Sequence, residues 1–184
     1  MKSKAYLEKT RAEFDRLARI EIAFVRQMAS HDGRPWRRAS VLVLNRLGNG
    51  WLYGVILAAL LWFHPENVAW VIVAAALAAG CAHFAYHWIK RLTARPRPCD
   101  VDPSLKPFLN TLDKYSFPSG HCMTVTCVSI PVVAAYPEFA AFAVVLWLLI
   151  AWSRLATGHH YPSDLLAGTV LGAVIALTIT NLLI

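Results

Sequence analysis

The feature that most limits the fold is a set of long apolar runs. The cleanest is NVAWVIVAAALAAGCAHFAYHWI, residues 67–89, which holds no Asp, Glu, Lys or Arg. A run of about 20 such residues is long enough to cross a bilayer as a helix, the form that satisfies its own backbone in lipid. Four more runs are visible: 41–63, pure only from Trp51 to Phe63; 120–135; 138–157; and 164–184. Asn45, Arg46 and Asn49 interrupt the first, so they must sit near one surface or face the bundle. Pro131 predicts a kink in the third. The last, LLAGTVLGAVIALTITNLLI, carries small residues suited to close helix packing. The expected fold is all-α: a polytopic membrane bundle of about five transmembrane helices plus an N-terminal amphipathic interfacial helix.

Composition agrees. The 184 residues suffice for one domain, and only 16% are charged against 57% hydrophobic, where a soluble domain carries about a quarter charged. Residues 1–40 read as an amphipathic, interfacial segment ahead of a transmembrane domain at 41–184. Within it Leu7, Phe14, Leu17, Ile20, Phe24 and Met28 fall near helical spacing, and HDGRPWRR, 31–38, is a basic, turn-rich break. No secretory signal peptide is visible, because the first apolar run follows forty mostly polar residues.

The net charge of +7 raises the question of nucleic acid. The basic residues flank apolar segments rather than interleave with stacking aromatics, so no nucleic-acid partner is expected and a membrane surface is. Cys81 and Cys127 lie in apolar runs and read as small core residues. Cys99 and Cys122 border polar segments and are open to a disulfide, with unpaired thiols the simpler reading.

Alternating five spans brings residues 1–40, the 90–119 loop and the 154–164 turn to one face. HPEN (64–67), YPE (136–138) and the C-terminus fall on the other. All 18 Lys and Arg lie on or next to the first face, which the positive-inside rule places in the cytoplasm.

Three polar constellations share that face. In KRLTARPRP, 90–98, Lys90 and Arg97 suit a multiply charged anion, though basic residues also simply end spans. In SFPSGH, 116–121, Ser119 is a natural helix cap, Gly120 permits close backbone approach, and a helix N-terminus with His121 beside it suits phosphate. An ordinary capped helix with a stray histidine reads the same way. In SRLATGHHYPSD, 153–164, Arg154 can clamp phosphate, and His160 and Asp164 are four apart, stacking on one face if helical. A carboxylate on one ring nitrogen makes the other a nucleophile. A buried structural ion pair is the plainer alternative, and His159 lacks the spacing. His83 and His87 are four apart on the helix delivering Lys90, a metal spacing without an apparent third ligand. His87 suits a headgroup contact or a place behind the site, with simple packing the even alternative, and His83 a structural role.

Together these pieces resemble the type 2 phosphatidic acid phosphatase superfamily, whose motifs are K-x6-R-P, P-S-G-H and S-R-x5-H-x3-D. They stand here as Lys90 to Arg97-Pro98, Pro118-Ser119-Gly120-His121, and Ser153-Arg154 to His160 to Asp164. The resemblance implies that His160, not His159, attacks phosphorus to form a phosphohistidine, that Asp164 orients it, and that His121 protonates the leaving oxygen. It implies that Lys90, Arg97, Arg154, Ser119 and Gly120 hold the phosphoryl oxygens, with no metal and no cofactor. The implied substrate is a membrane lipid phosphate or diphosphate: phosphatidate, phosphatidylglycerophosphate, or an undecaprenyl or other prenyl phosphate. Transfer to an acceptor lipid and non-catalytic anion binding are the alternatives. The implied location is a bacterial inner membrane, with the site more often extracytoplasmic in this family, against the charge bias. Oligomeric state is not legible.

Overall fold

The computed structural model describes residues 2–29, 34–63, 66, 68–107, 109–111 and 113–183, with side chains from residue 12 onward. The expected turns at 31–33, 64, 65 and 67 and the side chain of Leu7 lie outside these. Among the described residues all regular structure is helical: α1 Lys2–Ala29, α2 Pro35–Arg46, α3 Leu52–Phe63, α4 Val68–Thr93, α5 Pro98–Val101, α6 Gly120–Ala135, α7 Ala140–Ala156 and α8 Pro162–Leu183. Four stretches are long and apolar enough to cross a membrane, and α6 is a shorter apolar helix. Large apolar side chains such as Phe84, Trp88, Val145 and Val170 are exposed on the outside. Lipid, rather than a protein core, is the solvent for that surface.

The first apolar run is not one helix. It starts early, at Pro35, whose ring suits the first helical position. It then breaks over Leu47–Trp51, where Asn49 leaves helical geometry and Gly50 takes φ 115°. That region is open to glycine at little cost, so the LGNGW stretch breaks the helix where apolar neighbours would continue it. Asn45, in α2 just ahead of the break, is buried. α4 ends where Arg95-Pro96-Arg97-Pro98 begins, since a residue before proline is pushed out of helical geometry.

Short α6 is the hub. It packs chiefly on α8 and α4, and also on α7. Gly168, Gly172 and Ala176, four apart on α8, form the buried face toward α6, the small-residue packing expected of the last run. α6 runs on through Pro131 to Ala135.

α1 carries apolar residues on two sides. Its inward face is Ala18, Ile22, Val25, Met28 and Ala29, packed on α7 with Leu155, Cys122 and Leu165. Leu17, Ile20 and Phe24, expected on one apolar face with Phe14 and Met28, point outward and are exposed. Ile22 and Val25, which that spacing left out, carry the contact with the bundle together with Met28. Cys127 is buried as expected, but Cys81 is exposed on α4, and Cys99 and Cys122 are both free thiols. Cys81 faces outward because the outer wall of a membrane helix tolerates apolar side chains as well as the core does.

Candidate active site

Polar groups converge at one end of the bundle, around a cavity of about 430 Å³. Its wall includes Lys90, Arg97, Gly120, His121, Arg154 and His160, joined by Asn49, Tyr53, His83, Tyr86 and Asp113. Residues far apart in sequence thus meet in one cup.

Arg97 leaves the chain just after α4, and its Nη1 lies 3.5 Å from His160 Nε2. The same Nη1 donates to the His159 carbonyl at 2.7 Å. Lys90 donates to Asp113 Oδ1 at 2.7 Å and to the Tyr115 carbonyl at 2.8 Å. Arg97 Nη2 reaches the same Asp113 oxygen at 2.8 Å. A carboxylate therefore occupies the space between these two cations, where a phosphoryl group has the matching charge. Burial works against ionisation of Asp113, but Lys90 and Arg97 outweigh it and hold the carboxyl below its usual range.

Arg154 donates to the Asn45 side-chain carbonyl and, through Nη2, to His159 Nδ1 at 2.8 Å. A guanidinium only donates, so His159 carries its proton on Nε2, which donates to the Leu109 carbonyl at 3.1 Å. Both nitrogens of His159 are therefore engaged with the protein. Burial and then Arg154 push its pKa down to about 3. His121, in the first turn of α6, places Nε2 2.9 Å from Asn49 Oδ1 and 3.4 Å from Arg154 Nη1.

His160 is buried in the non-helical stretch before α8, not on the helix itself. The His160–Asp164 approach is thus made by a bend rather than by helical stacking: α8 begins only at Pro162, because proline suits a first turn. His160 Nδ1 lies 3.6 Å from Asp164 Oδ2. Burial first, then Arg97 and Arg154, hold the His160 pKa well below its ordinary value, so the ring is neutral at neutral pH.

Three expectations are modified. Ser119 does not line the cup: its Oγ accepts from the Cys122 amide, and its own N–H donates to the Asp164 carbonyl at 2.9 Å. It ties α6 to α8 instead. His83, read as structural, lines the cup, whereas His87 does not. The His87 ring lies 4.2 Å from that of Tyr86, which does line it. One helical turn rotated the two histidines differently from the reading based on depth alone.

Several residues escaped the motif reading. Asn45 and Asn49 carried a signal, being two amides four apart in an apolar run. Asp113, Arg95 and Glu21 carried none: each is an ordinary loop or helix charge until the chain folds.

A second hollow shares Asn49 and Gly50 with the cup and continues past Trp51 along Gly54, Val55 and Ala58 of α3. The polar cup thus runs into an apolar path on the outer face of the bundle.

A cationic cup with paired imidazoles, sunk into one end of a membrane bundle, defines a class: integral membrane proteins that act on phosphate groups. The chain belongs to the PAP2 superfamily, which it matches over residues 67–183. It is 32% identical over 145 residues to a decaprenylphosphoryl-5-phosphoribose phosphatase of Mycobacterium tuberculosis, covering 77% of this chain and 78% of that one. A lipid A 1-phosphatase of Rhizobium johnstonii is 35% identical over 91 residues, 46% of this chain and 36% of that one. Among solved structures, the fold is similar to a PAP2-type phosphatidylglycerolphosphate phosphatase from Bacillus subtilis, with TM-score 0.73, 20% identity, and coverage of 98% of this chain and 94% of that one. It is also similar to LpxE of Aquifex aeolicus, with TM-score 0.70, 19% identity, and coverage of 88% and 95%. The protein is an integral membrane phosphatase of the PAP2 lipid phosphatase family.

Proposed function

We propose that this protein hydrolyses a phosphate monoester on a membrane lipid through a phosphohistidine at His160. The observation that carries the reading is the setting of that ring. Nε2 looks into the cup 3.5 Å from Arg97, and Nδ1 faces Asp164 at 3.6 Å. In the first step His160 Nε2 forms a bond to phosphorus as the bond to the leaving oxygen breaks. His121 passes a proton to that oxygen. In the second, His121 takes a proton from water, whose oxygen attacks phosphorus. The P–N bond breaks and inorganic phosphate leaves. Lys90, Arg97 and Arg154 stabilise the shifting charge, with Gly120 admitting the group closely. With three cations present, no metal is required.

The apolar path along α3 supports a lipid substrate whose tail stays outside the bundle while its headgroup enters the cup. Because the similarity to the decaprenylphosphoryl-5-phosphoribose phosphatase spans most of both chains, a prenyl-linked phosphosugar is the first candidate and phosphatidylglycerophosphate the second. We place the cup on the cytoplasmic side by charge bias, with the exposed Leu17, Ile20 and Phe24 of α1 resting on the same leaflet.

The test is phosphate release from a panel of these lipids and undecaprenyl diphosphate. His160→Ala serves as the blank, chelator is added in parallel, and labelled phosphoprotein is trapped. Release that survives His160→Ala refutes the phosphohistidine, and loss on chelation refutes metal independence. Label passed to a second lipid replaces hydrolysis by transfer. For sidedness, the exposed Lys106 is replaced by Cys. Labelling of it above the parent background by an impermeant maleimide in intact cells contradicts a cytoplasmic cup.

A further inference from the structure

We propose that Glu21 of α1 and Arg95 of the α4–α5 connection are positioning residues for the reaction: together they hold the Asp164 carboxylate against His160. The proposal rests on the reading of His160 as nucleophile. Neither residue belongs to the three motifs, and Glu21 lies outside the stretch that matches the superfamily.

Arg95 is buried, with 1% of its surface exposed, and Asp164 is fully buried. Arg95 Nη1 donates to Asp164 Oδ1 at 2.5 Å, and its Nη2 to Glu21 Oε2 at 2.8 Å. Its guanidinium lies 4.0 Å from the Tyr161 ring centroid and 5.1 Å from that of Phe14, which fixes the plane of the fork. One cation is thus shared between two carboxylates. Glu21 has a second task. Its Oε1 accepts from the Ser163 amide at 2.6 Å, and its Oε2 from the Ser163 hydroxyl at 2.8 Å.

Those bonds cap α8 from another helix. The first amides of a helix lack partners within it, and Tyr161, just before α8, has no capping oxygen to offer. The Asp164 carboxylate takes the Tyr161 amide at 2.8 Å, and Glu21 takes that of Ser163. α1 therefore sets the register of the turn that carries Asp164.

The electrostatics point the same way. Arg95 alone would draw the negative charge of Asp164 toward itself and away from the imidazole. Glu21 takes a share of that cation, so the Glu21–Arg95–Asp164 group keeps a net negative charge beside His160. Behind the pair, Tyr161 and Cys99 are the other titratable groups near Arg95 and Asp164; on the side of His160 stand Lys90 from α4, Arg97 before α5, His121 from α6 and Arg154 from α7. The four on the side of His160 line the phosphate cup, whereas Glu21 and Arg95 stand behind Asp164.

Glu21→Gln in the full chain tests this by rate, pH profile and inorganic phosphate inhibition. The expected result is a kcat loss of roughly 10- to 100-fold, by analogy with the loss of a partner that orients a metal-ligating histidine. KM and inhibition by phosphate stay near wild type. The acid limb of kcat/KM moves to lower pH, because loss of a negative charge makes His160 harder to protonate. Arg95→Lys keeps the charge but loses the two-armed fork, so it should lose rate comparably, and Glu21→Asp should restore part of it. Wild-type kcat with an unmoved profile in Glu21→Gln overturns the proposal. So does an equal loss of turnover and phosphate binding without a pH shift, which marks a merely structural role. Should Glu21→Gln fail to fold, Arg95→Lys and Glu21→Asp decide by the same readings. Retention of turnover in His160→Ala sinks the nucleophile assignment instead, and is read independently of these variants.

Discussion

Substituting Gly168 by Ala should destabilise this protein, although helix propensity says the reverse. Gly168 sits one turn beyond Asp164 on α8, facing the backbone of Ser119. A Cβ there would lie 3.2 Å from the Ser119 carbonyl carbon and 3.3 Å from its nitrogen, and nearer still to its oxygen. These are backbone atoms at the head of α6 and have no rotamer to change, so the helices must part. Exchanging Gly for Ala in an unobstructed helix gains up to about 1 kcal/mol. Forcing an extra carbon into close packing costs about 1–3 kcal/mol, and contact with backbone lies at the upper end. The net expectation is a loss of about 2 kcal/mol. Gly80 is the control: on α4 nothing lies within 4 Å of the Cβ it would gain, so Gly80→Ala should be neutral or gain up to about 1 kcal/mol. Unfolding of both variants in a mixed-detergent titration, followed by helical circular dichroism, measures the difference. Turnover of Gly168→Ala should fall as well, because parting α6 from α8 separates His121 from His160. Equal stability of the two variants would refute the claim that α8 is held against α6 by backbone contact.

Asp113→Asn removes the carboxylate that phosphate must displace from Lys90 and Arg97. Inorganic phosphate should then inhibit more strongly, by roughly 5-fold if the part-exposed pairs are worth about 1 kcal/mol. Weaker inhibition would mean that Asp113 supports the cup instead of filling it. Asp164→Asn should cut kcat severely while leaving binding of the lipid intact, as read from KM and from competition by an uncleaved analogue. His159 and His160 are both held neutral below their ordinary pKa, His159 at about 3. The unfolded chain therefore binds more protons than the folded one below about pH 6.5, and stability should fall as pH drops from there toward 3, by up to about 1.4 kcal/mol per pH unit for each ring. A chemical-denaturation series between pH 7 and 4.5 checks the sign, and His159→Gln should flatten the slope.

The membrane bundle was legible because the apolar runs exceed what a soluble core needs. The motif face followed from counting alternate spans. His160 was separated from His159 by its distance from Arg154 and Asp164 within a known pattern. The bonds of His159 to Arg154 and the Leu109 carbonyl explain why the adjacent ring is not the one presented to the cup. Leu17, Ile20 and Phe24 of α1 are exposed while Met28 packs inward with Ile22 and Val25, so the residues of that one pattern divide between the outer surface and the bundle. Ser119 was read as a phosphate ligand because a cap and a phosphate site look alike in sequence.

What the sequence by itself determined is the order of the helices, the end of the bundle where charge gathers, and the three cations and two imidazoles of the cup. Hydropathy and local spacing act along the chain, and these features are written along it. Only the tertiary structure decided that Arg95 backs Asp164 while Arg97 faces His160, that Glu21 caps α8, and that Asp113 sits between Lys90 and Arg97. A charged side chain leaving water takes whichever opposite charge the packed helices bring near, and nothing in the local sequence specifies that partner.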